Sequence, residues 1–252
     1  MLRKLKQSRY WAPISWVYRN SGLKARVYSR SLTPPVPSHP LGELLQQLNS
    51  DAPLRSPSAT SFTLPEGVSS GPMPQRDQDM LIDLLTRLNP ETIFEFGTNW
   101  GVTTSYFVEN TNAKIWTLDI CREMFGHDLT GELTMVLSNK ETGLAYRQLK
   151  ASEGRVTQVF RDSLKLDWTE TEYPATFDLI LVDACHAYDF VKSDTEKALS
   201  KLRPGGLLLW HDFYPTVDMW PDVFTYVSEF AKTHSGVLNI KGTALAAWVK
   251  PH

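Results

Sequence analysis

Short apolar segments alternate with amphipathic ones from about residue 76 onward, and this alternation restricts the fold more than any other feature. The segments TIFEFG, KIWTLDI, RVTQVFRD, FDLILVDA and LLLWHD are typical of strands that a parallel sheet buries on both faces. Between and before them, segments such as RDQDMLIDLLTRL and DFVKSDTEKALSKL place apolar side chains at helical spacing. Repeated strand, helix, strand units connect by right-handed crossovers. The pattern therefore predicts an α/β domain with a doubly wound, mostly parallel sheet over residues 76–252.

Residues 1–75 differ in composition and are predicted to form an N-terminal extension. Residues 1–30 carry eight Lys or Arg side chains and no acid, and residues 31–75 are rich in Pro, Ser and Thr, which is typical of a linker. Within the linker, LGELLQQL has the pattern of a short helix that packs back onto the main domain. The basic segment is interpreted first as a solvated or self-docking extension. A nucleic-acid arm, a transit peptide and peripheral contact with a membrane surface stay open.

Composition limits the class of protein and its compartment. Apolar residues make up 42% and charged residues 21% of the chain, and no window approaches the roughly 18 apolar residues of a membrane span. Two cysteines without CxxC spacing indicate neither a disulfide framework nor a zinc site. The apolar run near residue 13 is too short and too interrupted by proline for a signal peptide. We therefore expect a soluble, cytoplasmic protein, and a homo-oligomer stays open.

Polar side chains follow five of the predicted strands at the point where each strand ends. These residues are Glu95, Asp119, Asp162, Asp183 and the pair His211 and Asp212. Because the carboxyl ends of parallel strands meet at one edge of the sheet, this edge is where an α/β protein binds its ligand. The sequence thus predicts a site rich in carboxylates.

The first strand end, IFEFGTNWGVTT, holds two glycines, Gly97 and Gly101, in a GxxxG spacing. This is neither the GxGxxG of dinucleotide sites nor the GxxxxGK[ST] of phosphate loops, so a pyrophosphate ligand loses support. Gly97 is interpreted as leaving room for a ligand close to the backbone. Glu95 is interpreted as favouring a cationic ligand. Asp119 is placed to accept hydrogen bonds from ribose hydroxyls, and Asp162 from an exocyclic amine such as that of adenine. Either Asp could instead cap the following helix.

These motifs resemble a known family. EFGTNWGVTT, TLDI, FRDS, FDLILVDACHAYDFVKSDTEKAL and LRPGGLLLWHDF are similar to the successive motifs of class I S-adenosylmethionine-dependent methyltransferases. Within that family the chain looks closest to the cephalosporin-hydroxylase-like and macrocin or mycinamicin sugar O-methyltransferase branch. The resemblance covers about residues 76–252 and implies a Rossmann-like sheet of seven strands.

The resemblance also implies roles for individual residues. The cofactor S-adenosylmethionine would be held by Glu95, Gly97, Thr98, Asn99, Gly101, Thr103, Asp119, Asp162, Ser163 and Asp183. In metal-dependent relatives an acidic pair after the fifth strand joins the residue matching Asp183, whereas this chain has His211 and Asp212. Two carboxylates and an imidazole would suit Mg²⁺ or Mn²⁺, with the imidazole favouring a softer ion.

His186 matches the general base of the sugar O-methyltransferases. A hydroxyl is a poor nucleophile until its proton is removed, and an unperturbed imidazole titrates near pH 6.5. The alternative is that His186 caps the helix starting near Tyr188. Asp183 is predicted to be the second catalytic residue, together with His186.

The function expected from these residues is methyl transfer to a hydroxyl of a small molecule of sugar or natural-product type. The alternatives are a small-molecule N-methyltransferase and a non-catalytic cofactor-binding module tethered through its basic arm. A nucleic-acid acceptor is disfavoured, because DACH stands where amino methyltransferases of DNA carry Asn or Asp followed by Pro-Pro and an aromatic residue. Residues 121–154, between the second and third strands, are predicted to form a helix and a lid that contributes to specificity.

Overall fold

The computed structural model describes most of the chain from residue 73 onward and isolated stretches before it. The described residues are 36–39, 44, 63–64, 73–125, 136–169, 173–214 and 219–252. The basic segment 1–30, with the predicted membrane contact, lies outside them, as does most of the predicted linker. No helix in the described part of the chain is long and apolar enough to cross a membrane.

A single sheet of eight strands forms the centre of the described structure. The strands are β1 Ser38–His39, β2 Thr92–Phe96, β3 Lys114–Asp119, β4 Val156–Phe160, β5 Phe177–Val182, β6 Leu202–Trp210, β7 Leu238–Ile240 and β8 Ala246–Val249. Their order across the sheet is β1-β7-β8-β6-β5-β2-β3-β4. Neighbours are parallel except β8, which is antiparallel to both β6 and β7. This confirms the predicted α/β, doubly wound, mostly parallel sheet, with β1 added to the seven strands expected.

Helices cover both faces of the sheet. They are α1 Gln75–Leu88, α2 Val102–Asn110, α3 Leu144–Arg147, α4 Tyr188–Lys201 and α5 Pro221–Thr233, with 3-10 turns at Arg122–Phe125, Lys150–Ser152 and Ser163–Lys165. Helix α1 ends where the sequence predicts, because Asn89 adopts a left-handed conformation and its N–H bonds to the Leu85 carbonyl oxygen at 2.9 Å.

Alternate residues of the central strands contribute to two separate cores. Ile93 and Leu179 pack with α1 and α2 on one face, while Phe94 and Ile180 pack with α4 and α5 on the other. All four side chains are fully buried. Strand side chains point alternately to opposite faces, so a strand covered by helices on both sides must be apolar throughout. This is the physical reason for the uninterrupted apolar segments in the sequence.

Described parts of the N-terminal extension belong to the same packed unit. Val36 joins the core beside α4 and α5, and Leu44 joins the core beside α1 and α2. Ser38 and His39 pair in parallel with β7. Leu44 is helical, in line with the helix predicted for LGELLQQL, whose other residues lie outside the described ones. The extension therefore supplies an edge strand that its Pro-rich composition did not predict.

The segment RPGG, residues 203–206, lies inside strand β6. Leu202 already pairs with Phe177, and the register then shifts before Leu207 pairs with Leu179. Gly205 takes a left-handed conformation, and its N–H bonds to the Lys250 carbonyl oxygen at 2.7 Å. Irregular pairing at the sheet rim thus accommodates residues that sequence rules assign to a turn.

The connection between β3 and β4 docks on the loop that follows β2. The Gly143 N–H bonds to the Asn99 carbonyl oxygen, and the Ala145 N–H to that of Trp100, both at 2.8 Å. A Cβ on Gly101 would stand 2.7 Å from the Gly143 Cα, so the two glycines allow the contact. The connection contains the short helix α3, and residues 126–135 lie outside the described part. Its role in specificity stays a prediction.

Gly97 marks the closest approach of two strand ends. It has a φ of 97°, and a Cβ there would lie 2.2 Å from the Asp183 carbonyl oxygen. The missing side chain therefore makes room for the end of β5, and the clearance for a ligand that the sequence suggested stays a prediction. This contact allows β2 and β5 to bring their polar ends together.

Replacing Gly97 by Ala should destabilise the protein more than the same change at Gly154. Gly154 has a φ of 69°, and no other atom lies within 4 Å of where an added methyl group would stand, so Gly154→Ala carries only backbone strain of about 1 to 2 kcal/mol. Gly97→Ala adds a backbone clash and should cost about 3 kcal/mol or more. Urea unfolding of both variants measures the difference. Equal losses of unfolding free energy in the two variants would show that the close approach of β2 and β5 leaves room for a side chain at Gly97.

Candidate active site

A cavity of about 490 Å³ opens at the carboxyl ends of β2, β3, β4 and β5. This size is in the range of roughly 300 to 1,000 Å³ that small-molecule sites occupy. The sheet order reverses between β2 and β5, which is where doubly wound proteins bind ligands. Of the residues predicted from the sequence, the cavity is lined by Gly97, Asn99, Asp119, Asp162, Ser163 and Asp183.

Asp119 stands at the end of β3 with both oxygens on backbone N–H groups. Its Oδ2 accepts from Asn99 at 2.6 Å and its Oδ1 from Ile120 at 2.8 Å. Burial raises the pKa of the Asp119 carboxyl, although the backbone hydrogen bonds oppose the rise. Each carboxylate oxygen has a second lone pair, so the group can also accept hydrogen bonds from a ligand. Asn99 adopts a left-handed conformation to reach this position, with a φ of 48°.

Glu95 does not line the cavity, although the sequence placed it around the cofactor. It is fully buried two residues before Gly97, and its Oε2 accepts hydrogen bonds from the Thr104 and Thr117 hydroxyls, each at 2.5 Å. Its Oε1 has no hydrogen-bond partner among the described residues. Burial raises the pKa of Glu95 to about 8 against these two hydrogen bonds, and the charges of Asp183 and Asp119 add to the rise. The carboxyl is therefore mostly protonated at neutral pH.

A polar network that the sequence did not indicate supports the loop after β2. The Thr98 hydroxyl bonds to that of Thr117 at 2.7 Å and accepts from Gln158 Nε2 at 2.9 Å. The Tyr146 hydroxyl donates to Gln158 Oε1 at 3.1 Å. Thr98 thus supports the loop from behind, and neither it nor the predicted Gly101 and Thr103 lines the cavity.

Asp162 and Ser163 form the wall of the cavity at the end of β4. Asp162 Oδ1 accepts from the Leu164 N–H at 3.0 Å, which caps the 3-10 turn that follows. The capping role left open by the sequence is therefore real, and the same carboxylate still lines the cavity. Ser163 is 6% exposed.

His186, Asp212 and Asp183 come together beside the cavity. His186 Nε2 lies 2.6 Å from Asp212 Oδ2. One ligand atom from each of the three residues lies within 4.8 Å of the others, so this trio could hold a metal ion. The sequence expected His211 in that set, whereas the structure groups Asp183 and Asp212 with His186.

His211 is instead held between two carboxylates. Its Nδ1 lies 3.2 Å from Asp183 Oδ1 and its Nε2 lies 3.3 Å from Asp77 Oδ2. Burial alone would lower the pKa of His211, but the charges of Asp183 and Asp212 and the hydrogen bonds to Asp183 and Asp77 raise it well above 6.5. A protonated imidazole donates from both nitrogens and has no lone pair for a metal. The carboxylates around His211 therefore favour its protonated form, which would donate to both Asp183 and Asp77.

Asp77, the second partner of His211, was missed in the sequence. It lies in the first turn of α1, is 2% exposed, and also accepts the Ala244 N–H at 3.0 Å. An Asp in the first turn of a helix ordinarily complements the helix dipole at the surface. Only tertiary packing reveals its burial, so sequence pattern carried no signal for its role.

Asp212 joins the two histidines and a tyrosine. Burial would raise the pKa of its carboxyl, but the hydrogen bond and charge of His186 and the charge of His211 hold that pKa below its usual range. Burial and the charge of Asp212 raise the pKa of Tyr214 to about 12. Asp212 is therefore an anion and Tyr214 a neutral hydroxyl near neutral pH.

The fold and the cavity define an α/β domain with a cavity of small-molecule size at the switch point of a doubly wound sheet. Residues 94–213 match a family model described as a methyltransferase domain, and this span includes every residue that lines the cavity. This part of the chain is therefore similar to methyltransferase domains. A comparison with curated protein sequences found no match.

Solved structures of similar fold agree with this assignment of architecture. Rv0187 from MTB, described as cofactor-bound, is 17% identical with a TM-score of 0.51, over 84% of this chain and 90% of the other. A candidate O-methyltransferase from Klebsiella pneumoniae is 17% identical with a TM-score of 0.50, over 85% and 91%. A candidate caffeoyl-CoA O-methyltransferase from Staphylococcus aureus is 16% identical with a TM-score of 0.50, over 83% and 90%. At these identities the likeness shows the fold alone.

Replacing Glu95 by Gln should remove a pH dependence of stability. The unfolded carboxyl ionises near 4.5 and the folded one near 8, so the folded protein binds more protons between these values and loses stability as the pH rises. The wild type should lose a few kcal/mol, by order of magnitude, relative to Glu95→Gln between pH 5 and pH 8. Urea unfolding across this range gives the difference.

Asp178→Asn is the control for this comparison. Burial opposes ionisation of Asp178, but hydrogen bonds from Arg203 and the backbone at Thr92 and Glu91 hold its pKa below 3.8. Asp178 is therefore ionised in both states above pH 5, and its variant should differ from wild type by a constant amount. A constant difference for Glu95→Gln as well would contradict the raised pKa of Glu95.

Proposed function

We propose that the chain transfers a methyl group from S-adenosylmethionine to a hydroxyl of a small molecule of sugar or natural-product type. The observation that carries the proposal is the 2.6 Å contact between His186 and Asp212, beside a carboxylate-lined cavity within the residues that match a methyltransferase model. An imidazole held by a carboxylate is a suitable group for removing the proton of a hydroxyl. The resemblance to sugar O-methyltransferases supports the acceptor class.

The cavity offers hydrogen-bond acceptors and apolar surfaces that suit S-adenosylmethionine. Asp119 retains lone pairs for the ribose hydroxyls, and Asp162 with Ser163 can bond the adenine edge. Ile120 and Leu118 offer apolar surface to the adenine ring. Asp183 supplies a carboxylate near the positive charge. Once bound, the cofactor supplies an electrophilic methyl group on a positively charged sulfur.

Asp212 would set the protonation of His186 for the transfer. As an anion it accepts the Nε2–H, which leaves the lone pair of Nδ1 to take the proton of the acceptor hydroxyl. The imidazolium that forms is stabilised by the same carboxylate, in the way a buried acid supports a catalytic histidine. Cavity residues hold the two reactants in line, so positioning provides much of the remaining rate.

Metal assistance is the second part of the proposal. Asp183, His186 and Asp212 would hold the ion, and two carboxylates with an imidazole fit Mn²⁺ at least as well as Mg²⁺. A neutral imidazole has one lone pair, so a His186 that binds the ion cannot also accept the hydroxyl proton, and the ion would replace His186 in activating the hydroxyl. A divalent ion there would supply a Lewis acid that lowers the pKa of the acceptor hydroxyl. His211 stays outside this set because its nitrogens donate to Asp77 and Asp183.

Two substitutions should separate cofactor binding from methyl transfer. Asp119→Asn should weaken S-adenosylmethionine binding about 10-fold or more, because hydrogen bonds to a charged acceptor are lost. His186→Gln should leave binding nearly unchanged and lower turnover by about 10²-fold or more. Calorimetric titration with S-adenosylmethionine, with and without Mg²⁺ or Mn²⁺, measures binding. Transfer of a radiolabelled methyl group to a panel of sugars and phenols measures turnover.

His234→Gln serves as the matched control, since His234 lies at the end of α5 against Phe230. It should change neither binding nor turnover. Folded wild type that binds no S-adenosylmethionine would overturn the proposal. Turnover that survives in His186→Gln would remove His186 from the role of base. Equal turnover after removal of divalent ions with a chelator would exclude the metal part.

A further inference from the structure

We propose that Trp220 is a positioning residue that fixes the ring plane of His186. The proposal rests on the proposed role of His186 as the base. It goes beyond that role because Trp220 lies outside the cavity lining and outside the matched methyltransferase residues. Its basis is a stacking contact, an unusual backbone conformation and a set of anchoring hydrogen bonds.

One hydrogen bond cannot by itself fix an imidazole. Asp212 holds His186 at Nε2, at 2.6 Å, and this contact sets the position of one edge of the ring. The ring can still tilt about the line that joins its Cβ to Nε2, which would turn Nδ1 away from an acceptor. A second contact, made to the face of the ring, is needed to prevent the rotation.

Trp220 provides that second contact. The His186 and Trp220 rings are stacked, with centroids 3.9 Å apart and planes inclined by 18°. A flat indole surface against the imidazole allows sliding within the plane and opposes tilting out of it. The indole face also favours a cation, so it would support the imidazolium formed after proton transfer. The hydrogen bond at Nε2 and the stack on the face of the ring together hold the His186 ring in one orientation.

The backbone at Trp220 is unusual for its residue type. Trp220 has a φ of 50° and a ψ of 58°, a left-handed conformation that bulky residues rarely adopt. It also precedes Pro221, and a residue before proline ordinarily takes an extended conformation. Among the described non-glycine residues, four have positive φ; besides Trp220 they include Asn99 and Asp212, which belong to the site. Strained conformations of this kind persist where the surroundings require them, which is often at functional sites.

Both partners of the stack are anchored to one another through their helices. The Tyr188 N–H, two residues after His186, bonds to Asp222 Oδ2 at 3.2 Å, two residues after Trp220. The Tyr188 hydroxyl donates to Glu229 Oε2 at 2.6 Å. These contacts tie the start of α4 to α5, so the loop with His186 and the residue stacked on it cannot move apart independently.

Nuclear magnetic resonance of protein labelled with ¹³C at histidine Cε1 tests the contact directly. Six histidines give six signals, and His186→Gln identifies that of His186 by its loss. The indole ring current should shift the His186 Hε1 signal upfield. Trp220→Leu should move it downfield, and Trp220→Phe should retain part of the upfield shift. His234, stacked on Phe230 with centroids 3.8 Å apart, should keep its position in both variants and so reports that α5 is intact.

Kinetics of the same variants test the positioning role. Trp220→Leu should lower kcat about 10- to 100-fold with an unchanged Kd for S-adenosylmethionine, and Trp220→Phe should recover most of the loss. An unmoved His186 signal in Trp220→Leu would overturn the proposal, as would a full kcat with the signal moved. A wild type that transfers no methyl group refutes the proposed function instead, and the His186 signal still decides whether Trp220 fixes the ring.

Discussion

The close approach of β2 and β5 at the centre of the sheet is the constraint on which the site depends. The Asp183 N–H bonds to the Phe96 carbonyl oxygen at 2.9 Å, and Gly97 leaves room for the backbone that follows. The Gly97 N–H in turn bonds to the Leu118 carbonyl oxygen at 2.8 Å, which places Asp119 on the other side of the same loop. Because glycine has no side chain, Gly97 thus sets the separation between the carboxylates at the ends of neighbouring strands.

Several carboxylates lie close together at one edge of the sheet, and their mutual repulsion must be offset. The structure does this in a different way for each group. Glu95 is largely neutral because burial raises its pKa, and Asp119 is supported by backbone N–H groups. A buried His211 cation lies between Asp183 and Asp77, so two of the acids share one positive charge. Asp212 is paired with the imidazole that we propose as the base. A positively charged cofactor would add to this balance and would not disturb it.

The sequence predicted the sheet and its ligand-binding edge, because burial on both faces requires apolar strands and parallel connection places their ends together. It could not assign partners within the site. Whether His186 or His211 joins Asp183 and Asp212 depends on side-chain directions after two different strands, and Asp77 enters from a helix far away in sequence. The sequence also could not predict the edge strand at residues 38–39, because two paired residues are too few to show a periodic pattern.

A structure of the protein with S-adenosylhomocysteine tests the central claim most directly, because it locates the cofactor relative to named residues. The account predicts the ribose hydroxyls on the Asp119 carboxylate, the adenine beside Asp162 and Ser163, and the sulfur on the side of Asp183 and His186. Density for the ligand elsewhere on the protein, or a cavity without ligand at saturating concentration, would contradict it.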